Sequence, residues 1–367
     1  MHERWVAILG WRDEPTDAVL EYCEYLRGAL KQQRIVLELF RVRWPELGWR
    51  RALKELREKA ADARGACFIL QYTALNWSRR GFSWRALTVL RILKKSGARC
   101  AVMFHDSGGY PGSRLVDRLR RFVQIHVMQG LVRLADVAIV NVPPENLPWL
   151  PAGSRKTVFI PVGANLPPPE KISPLPTTAE IRPPAIAVFS LSAGRVGEEE
   201  VRAIADAVSY VADKLGLVRL VVLGRNSEAK EPLLKKALAK ARTEVVVHGV
   251  VAAEDVTRLL QSCDVMLFVR GPISSRRGSA IAGIACGLPI VAREGRETGW
   301  PITEAGVVLL PANDTMGYGP ALLRVLSDRD YGASLAEQSR QAYLHHFSWS
   351  VIAAQYSQAL RTSVSVR

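Results

Sequence analysis

The stretch Phe268–Gly295, FVRGPISSRRGSAIAGIACGLPIVAREG, reads as the core of one βαβ unit. It opens on the end of DVMLFVR (264–270), an apolar run of the length of a single buried strand. A loop follows with Gly271, Pro272, Ser274, Ser275, Arg276 and Arg277. Gly278 and Ser279 then open GSAIAGIACG, a helix of small residues whose backbone can lie close to a sheet. Gly287-Leu288-Pro289 closes it, because glycine suits the end of a helix and proline cannot continue one. LPIVARE (288–294) is the next strand. A strand, a crossover helix and a second strand in so few residues point to a parallel sheet.

The same alternation runs outward in both directions. Toward the centre of the chain, AIAVFSLS, LVRLVVLGR and TEVVVHGVV read as strands. EEEVRAIADAVSYVADKLG, EAKEPLLKKALAKAR and AAEDVTRLLQSC read as the helices between them. AGVVLLPAND and a helical tail complete the half. Before it lies PVGANLPPPEKISPLPTTAEIRPP (161–184), rich in proline and without periodicity, which reads as an interdomain linker. The first half repeats the pattern. WVAILG, IVLELFRV, ACFILQYTAL, CAVMFHD, VAIVNVP and TVFIPVG read as strands. DAVLEYCEYLRGALKQQ, WRRALKELREKAADA, SWRALTVLRILKKSG and SRLVDRLRRFVQIHVMQGLVRLAD read as helices. The expected fold class is therefore α/β: two Rossmann-like doubly wound domains facing a cleft. We expect a first domain over 1–165, a linker over 166–184, a second domain over 185–345 and a terminal segment over 346–367.

Composition agrees. A chain of 367 residues supports two cores, and 48% hydrophobic with 23% charged residues excludes disordered and collagen-like classes. No window approaches the roughly 18 apolar residues of a membrane span. The N-terminal apolar run is too short and too soon followed by charges for a signal peptide, so a cytoplasmic location is expected. Cys23, Cys67, Cys100, Cys263 and Cys286 form no CxxC pair and read as buried, reduced thiols. The six histidines show no metal-ligand spacing, and no metal is expected.

The net charge of +15 is uneven. Residues 1–165 carry 27 Lys and Arg against 15 Asp and Glu, a balance of +12, and the remainder carries +3. That asymmetry fits an anionic partner, and it equally fits plain solubility. RVRWPELGWRRALKELREK interleaves basic residues with Trp44 and Trp49, and SRRGFSWRAL and SRLVDRLRRF continue the theme. Such stretches suit an anionic lipid surface or an amphipathic helix packing its aromatic side inward. No nucleic-acid motif accompanies them, and no nucleic-acid partner is expected.

Open parallel sheets bind ligands beyond the carboxyl ends of their strands. The loop after DVMLFVR is the sharpest candidate. Arg270, Arg276 and Arg277 converge on one strand-to-helix junction, and Gly278 and Ser279 open a helix whose free N–H groups suit a phosphate. A solvated loop with Ser279 as a helix cap is the plainer reading. Arg225 in LGRNSE lies at another strand end, and Glu297 in REGRETGWPITEAG lies in a loop after the next strand. In the first half, His105 and Asp106 follow CAVMF and precede a glycine-rich loop. Asp106 in a turn bonding nearby amides is the alternative there. Arg12 and Asp13, in GWRDEPTD, form a second candidate rim, with Asp17 as a cleft residue or a helix cap.

The segment AGIACGLPIVA, from Ala282 through Pro289 and beyond, resembles the donor-binding region of GT-B glycosyltransferases similar to family four, with its frame E-A-x-A-x-G-x-P. HGVVAAEDVTRLLQSCDVMLF is similar to their nucleobase-side strand and helix, FIPVGANLP to the segment closing their first domain, and FSWSVIAAQYSQAL to a terminal helix that crosses back to that domain. The likeness covers most of 157–360 and is looser through QYTALNWSRRG and FHDSGGYPG. It implies transfer of a sugar from a nucleotide-diphosphate sugar to a glycan or lipid-linked acceptor, with retention, no cofactor beyond the donor and no metal. It also implies a cytoplasmic protein, peripheral on the inner membrane face. His105 and Asp106 would then be the catalytic-side residues, and Arg12 and Asp13 would face the acceptor. The donor would meet Arg195, Arg225, Arg270, Ser274, Arg276, Arg277, Gly278, Ser279 and Glu297.

Two departures stand out. The family's paired glutamates fall on Ser274 and Ala282, and neither is a carboxylate. LSAGRVGEEE offers Arg195 but no following lysine; Glu198, Glu199 and Glu200 stand there instead, which shifts the expected diphosphate contacts toward Arg270, Arg276 and Arg277. A non-catalytic partner subunit of the same build and a nucleotide-sugar epimerase of GT-B fold remain as alternatives.

Overall fold

The apolar runs become strands because each is flanked by helices that cover both faces of a sheet, so every residue of a central strand can be buried. The computed structural model describes residues 3–11, 17–151, 153–167 and 182–362. Most of the proline-rich stretch expected as a linker, 168–181, lies outside the described residues. The chain divides into two units, one of Met1–Pro161 with Trp349–Arg367 and one of Val162–Ser348.

The first unit holds β1 (Glu3–Leu9), β2 (Ile35–Arg41), β3 (Cys67–Tyr72), β4 (Arg99–Phe104), β5 (Val137–Val140) and β6 (Thr157–Phe159). They form one parallel sheet in the order β2-β1-β3-β4-β5-β6. All six residues of β3 are buried, as its central place requires. The direction of winding changes between β1 and β3. The helix Trp349–Thr362 belongs to this unit: the Tyr22 and Tyr356 hydroxyls lie 3.1 Å apart, Trp349 stacks on Tyr25 at 5.6 Å, and Arg361 pairs with Glu3 at 2.9 Å. Trp44 is buried and Trp49 half-buried, with Arg85 over their rings at 4.3 and 5.5 Å. The aromatic side of that basic stretch therefore packs inward.

The second unit holds β7 (Ala185–Phe189), β8 (Val218–Leu223), β9 (Thr243–Val247), β10 (Val265–Phe268), β11 (Ile290–Arg293) and β12 (Val307–Leu310). Its parallel order, β12-β11-β10-β7-β8-β9, is the 3-2-1-4-5-6 winding of dinucleotide-binding sheets, with the switch between β7 and β10. Alternate residues serve two cores. Ala187, Met266, Phe268 and Ile290 face one side, and Ile186, Val188, Leu267 and Val291 face the other. On the first side the helix Gly278–Ala285 comes so close that a β-carbon on Gly283 would lie 2.5 Å from the Met266 sulfur. The small-residue composition of that helix is thus a packing requirement. Residues 162–165, placed at the end of the first domain by sequence, pack with the second unit instead. The Val162 amide donates to the Ser275 carbonyl at 3.0 Å and the Ala164 amide to Phe347 at 3.3 Å.

The five cysteines are free, buried thiols. Among the described residues no helix is long and apolar enough to cross a membrane.

Candidate functional site

In the second unit, the carboxyl ends of β7, β8, β10 and β11 bring four loops to the switch point of the sheet. The loop after β10 is tied down by its backbone. Gly271 turns the chain at φ +72°. The Ile273 amide donates to the Arg293 carbonyl at 3.0 Å, and the Ile273 carbonyl accepts from the Thr298 hydroxyl at 2.6 Å. The Arg277 amide donates to Ser274 at 3.0 Å, and the helix Gly278–Ala285 starts there with no side chain capping it. Its first N–H groups, with the positive end of the helix dipole, face out of the sheet edge.

The arginines on this loop divide by partner. Arg276 grips Glu297 through two hydrogen bonds, Nε to Oε2 at 2.6 Å and Nη2 to Oε1 at 3.3 Å. The Nε atoms of Arg270 and Arg277 are buried with no hydrogen-bond partner among the described residues. The Ser274 hydroxyl, in a fully buried residue, is in the same state. Arg293 ends β11, and its guanidinium lies 5.9 Å from the Tyr318 ring. Buried polar groups in folded proteins are normally satisfied. The two buried arginine donors, together with the Ser274 hydroxyl, are suited to an anion with several acceptor oxygens.

Burial disfavours a concentrated positive charge, and it shows. The Arg277 guanidinium is pushed down to about 10, by burial first and then by Arg276 and Arg270, with Glu297 and Glu200 opposing. Arg270 is lowered by burial, with Arg225 adding to the effect and Glu200 opposing it. Glu200 is the counter-charge. Its side chain is buried, and it accepts from the Ser192 amide at 2.7 Å and the Ser192 hydroxyl at 2.6 Å, holding the loop after β7. Its neighbours behave as surface acids: Glu198 pairs with Lys230 at 3.7 Å, and Glu199 with Arg195 at 3.3 Å.

The structure thus gathers Arg225, Arg270, Ser274, Arg276, Arg277, Gly278, Ser279 and Glu297 at one sheet edge. Arg195 stands apart from that group, its side chain 90% exposed and engaged with Glu199 one turn along its helix. Glu200 was not legible as a residue of this cluster. Glu200 is the third of three adjacent glutamates, and only the helical phase turns it inward.

In the first unit, His105 follows β4 and its Nε2 lies 2.8 Å from Gln71 Oε1, with the Tyr22 ring edge-on at 5.2 Å. Burial pushes its imidazole down to about 4, against a small opposing pull from Asp17. Asp106 accepts from the Ala74 amide at 2.6 Å and so holds the start of the short helix Ala74–Trp77. Asp17 caps the helix Ala18–Gln32 through the Leu20 amide at 3.0 Å and pairs with Arg41 at 2.9 Å. Arg12 and Asp13 lie outside the described residues. Among the described residues no group of His, Cys, Asp and Glu side chains is arranged to hold a metal ion.

Residues 188–328 match the family described as glycosyl transferases group 1. No curated protein sequence matches the chain. Among solved structures, Anabaena HepE in complex with UDP and glucose is 16% identical with a TM-score of 0.66, over 98% of this chain and 100% of that one. A glycosyltransferase from Rickettsia africae ESF-5 is 12% identical with a TM-score of 0.67, over 100% and 99% of the two chains. S. aureus MnaA in complex with UDP is 11% identical with a TM-score of 0.61, over 100% and 98%. At such identities the likeness is one of fold. Through residues 188–328 the chain carries the group 1 glycosyltransferase family match, and it does so on the two-sheet GT-B fold.

Proposed function

We propose that the protein is a glycosyltransferase whose second unit binds the diphosphate of a nucleotide sugar at the loop after β10. The observation that carries this reading is the pair of buried, unpartnered Nε donors on Arg270 and Arg277, beside an uncapped helix start. When the bond between sugar and diphosphate breaks, negative charge builds on the leaving phosphate. Guanidinium groups already desolvated and fixed in place stabilise that charge without reorganising. Ser274 adds a hydroxyl, and Gly278 and Ser279 add main-chain N–H groups. Arg225 borders the cluster, and Arg195 reaches it only by leaving Glu199. Uridine is the first nucleobase to try, since HepE and MnaA are both held with UDP.

In this reading the first unit takes the acceptor, a lipid-linked or cell-envelope glycan. The imidazole of His105, neutral at pH 7, orients a hydroxyl as a hydrogen-bond partner. Asp106 holds the start of the neighbouring short helix, and the sequence resemblance assigns Arg12 and Asp13 to the acceptor side. The donor phosphate takes the acceptor proton, and the sugar keeps its anomeric configuration. No cofactor beyond the donor and no metal enters, and the enzyme works in the cytoplasm at the inner membrane face.

Calorimetric titration with UDP, GDP, ADP and TDP tests the proposal, with the Arg270→Ala/Arg277→Ala double variant in parallel. Selective binding of one diphosphate, lost in the variant, is the expected result. Failure of a well-folded protein to bind any of them overturns the donor site and leaves the partner-subunit reading. Turnover of the bound donor without any acceptor marks an epimerase.

A further inference from the structure

One helix of the first unit breaks the inward-packing rule. In Leu115–Leu134 the buried residues are Asp117, Val123, Gln124, Val127, Met128, Leu131 and Val132. The opposite face of its first turns is apolar and uncovered. Leu115 is 81% exposed, Leu119 55% and Phe122 58%. Their spacing of four and three residues makes one continuous stripe along the helix. Arg118 and Arg114, both exposed, follow the stripe along one flank, a turn apart. The inner side is tied to its neighbours: Arg120 donates to the Arg80 carbonyl at 2.8 Å, Arg121 to the Tyr110 carbonyl at 2.8 Å, and Gln124 to Gly81 at 2.9 Å.

The sequence on either side of the stripe is one-sided in charge. Between Asp62 and Asp136 the sequence has 13 Lys and Arg and two acids, Asp106 and Asp117. Asp106 is tied to the Ala74 amide, and buried Asp117 is paired with Arg120 at 3.0 Å. Among the described residues neither carboxylate forms an ion pair with Arg114 or Arg118. A protein partner fitted to this face needs an acidic rim around an apolar centre. An anionic lipid surface supplies both in layers, with phosphates at the level of the guanidiniums and acyl chains beneath.

We propose that the exposed face of Leu115–Phe122 is a membrane-docking element that seats its apolar stripe in an anionic bilayer while Arg114 and Arg118 engage lipid phosphates. This deepens the membrane-side reading given above by naming the surface. It is read without donor, so its failure leaves the calorimetric test of the donor site untouched, and the converse also holds.

The test is flotation of the full-length protein with vesicles of phosphatidylcholine alone and of phosphatidylcholine with about three tenths phosphatidylglycerol. The wild type floats with the anionic vesicles, less so as salt rises. Arg114→Gln and Arg118→Gln each weaken binding about fivefold. Leu119→Ser/Phe122→Ser abolishes it with little change in thermal midpoint, since both side chains are more than half exposed. Absence of binding to anionic vesicles overturns the proposal, as does binding that the Leu119/Phe122 variant retains. Sedimentation closes the remaining route: a wild-type dimer that this variant converts to monomer shows that a second copy covers the stripe, and also overturns it.

Discussion

Glu297 holds Arg276 in a two-point grip at 2.6 and 3.3 Å, while the adjacent Arg277 keeps a buried Nε with no partner. Neighbouring residues of one charge therefore have two different tasks. Arg276 is neutralised within the protein, and Arg277 is held in readiness with its proton affinity already reduced by burial. Glu297→Gln removes a negative charge beside the proposed diphosphate site and frees Arg276. UDP is expected to bind about fivefold tighter, corresponding to ~1 kcal/mol. Calorimetry decides the matter, because a carboxylate that held the ribose would make the same change weaken binding. Arg277→Ala and Arg270→Ala should each weaken binding by about 10- to 100-fold, the value of a charge-assisted hydrogen bond of ~1.5–3 kcal/mol.

Ser274 makes a sharper test of the empty-donor argument. Its hydroxyl is buried and unpartnered, so Ser274→Ala removes an unsatisfied group at almost no change in volume. Chemical denaturation should show stability unchanged or raised by up to ~1 kcal/mol. UDP affinity should fall several-fold in the same variant. A loss of stability with affinity intact would mean that the hydroxyl serves the fold alone.

Glu200 is the buried counter-charge of the arginine cluster. Glu200→Gln keeps an acceptor for Ser192 and deletes the charge. The folded state should lose about 1–3 kcal/mol, and the loss should grow as salt is lowered. Saturating UDP should restore much of it, because a bound diphosphate supplies the missing negative charge and binding stabilises the folded form. Thermal melts with and without nucleotide read both effects.

His105 links the first unit to pH. Its imidazole is lowered to about 4 by burial, whereas in the unfolded chain it titrates near its ordinary value of about 6.5. Between these values the unfolded chain binds the extra proton, so acid favours unfolding. The contribution is fully present above about pH 6.5 and is lost progressively as pH falls toward about 4. His105→Asn should flatten that part of the melting-temperature profile. An unchanged profile would place the acid sensitivity elsewhere.

The fold was legible because short apolar runs alternate with segments of helical spacing. A segment such as CFILQY, between helices with apolar residues at helical spacing, can only be a strand buried on both faces. The frame around Gly283 and Pro289 likewise marked the helix that must lie against β10. ACFILQYTAL ran too far as a strand, because the Thr73 hydroxyl accepts from the Asn76 amide and starts a helical turn there. The site was legible only as a neighbourhood. That Arg276 turns to Glu297 and Arg277 does not depends on backbone torsions at a helix start, which composition does not encode. Trp49 and Phe122 show the same limit: similar basic-aromatic stretches put one ring against the core and the other into solvent.

The helix Trp349–Thr362 completes the first unit, while everything from Val162 to Ser348 forms the second. The second unit is therefore a continuous insertion within a discontinuous host. On the ribosome, chains fold from their N-terminal end as domains become available. Here the earlier-made unit waits for Trp349 to reach Tyr22 and Tyr25 and for Arg361 to reach Glu3, long after its sheet has emerged. The half of the protein that is synthesised first is the half that is finished last.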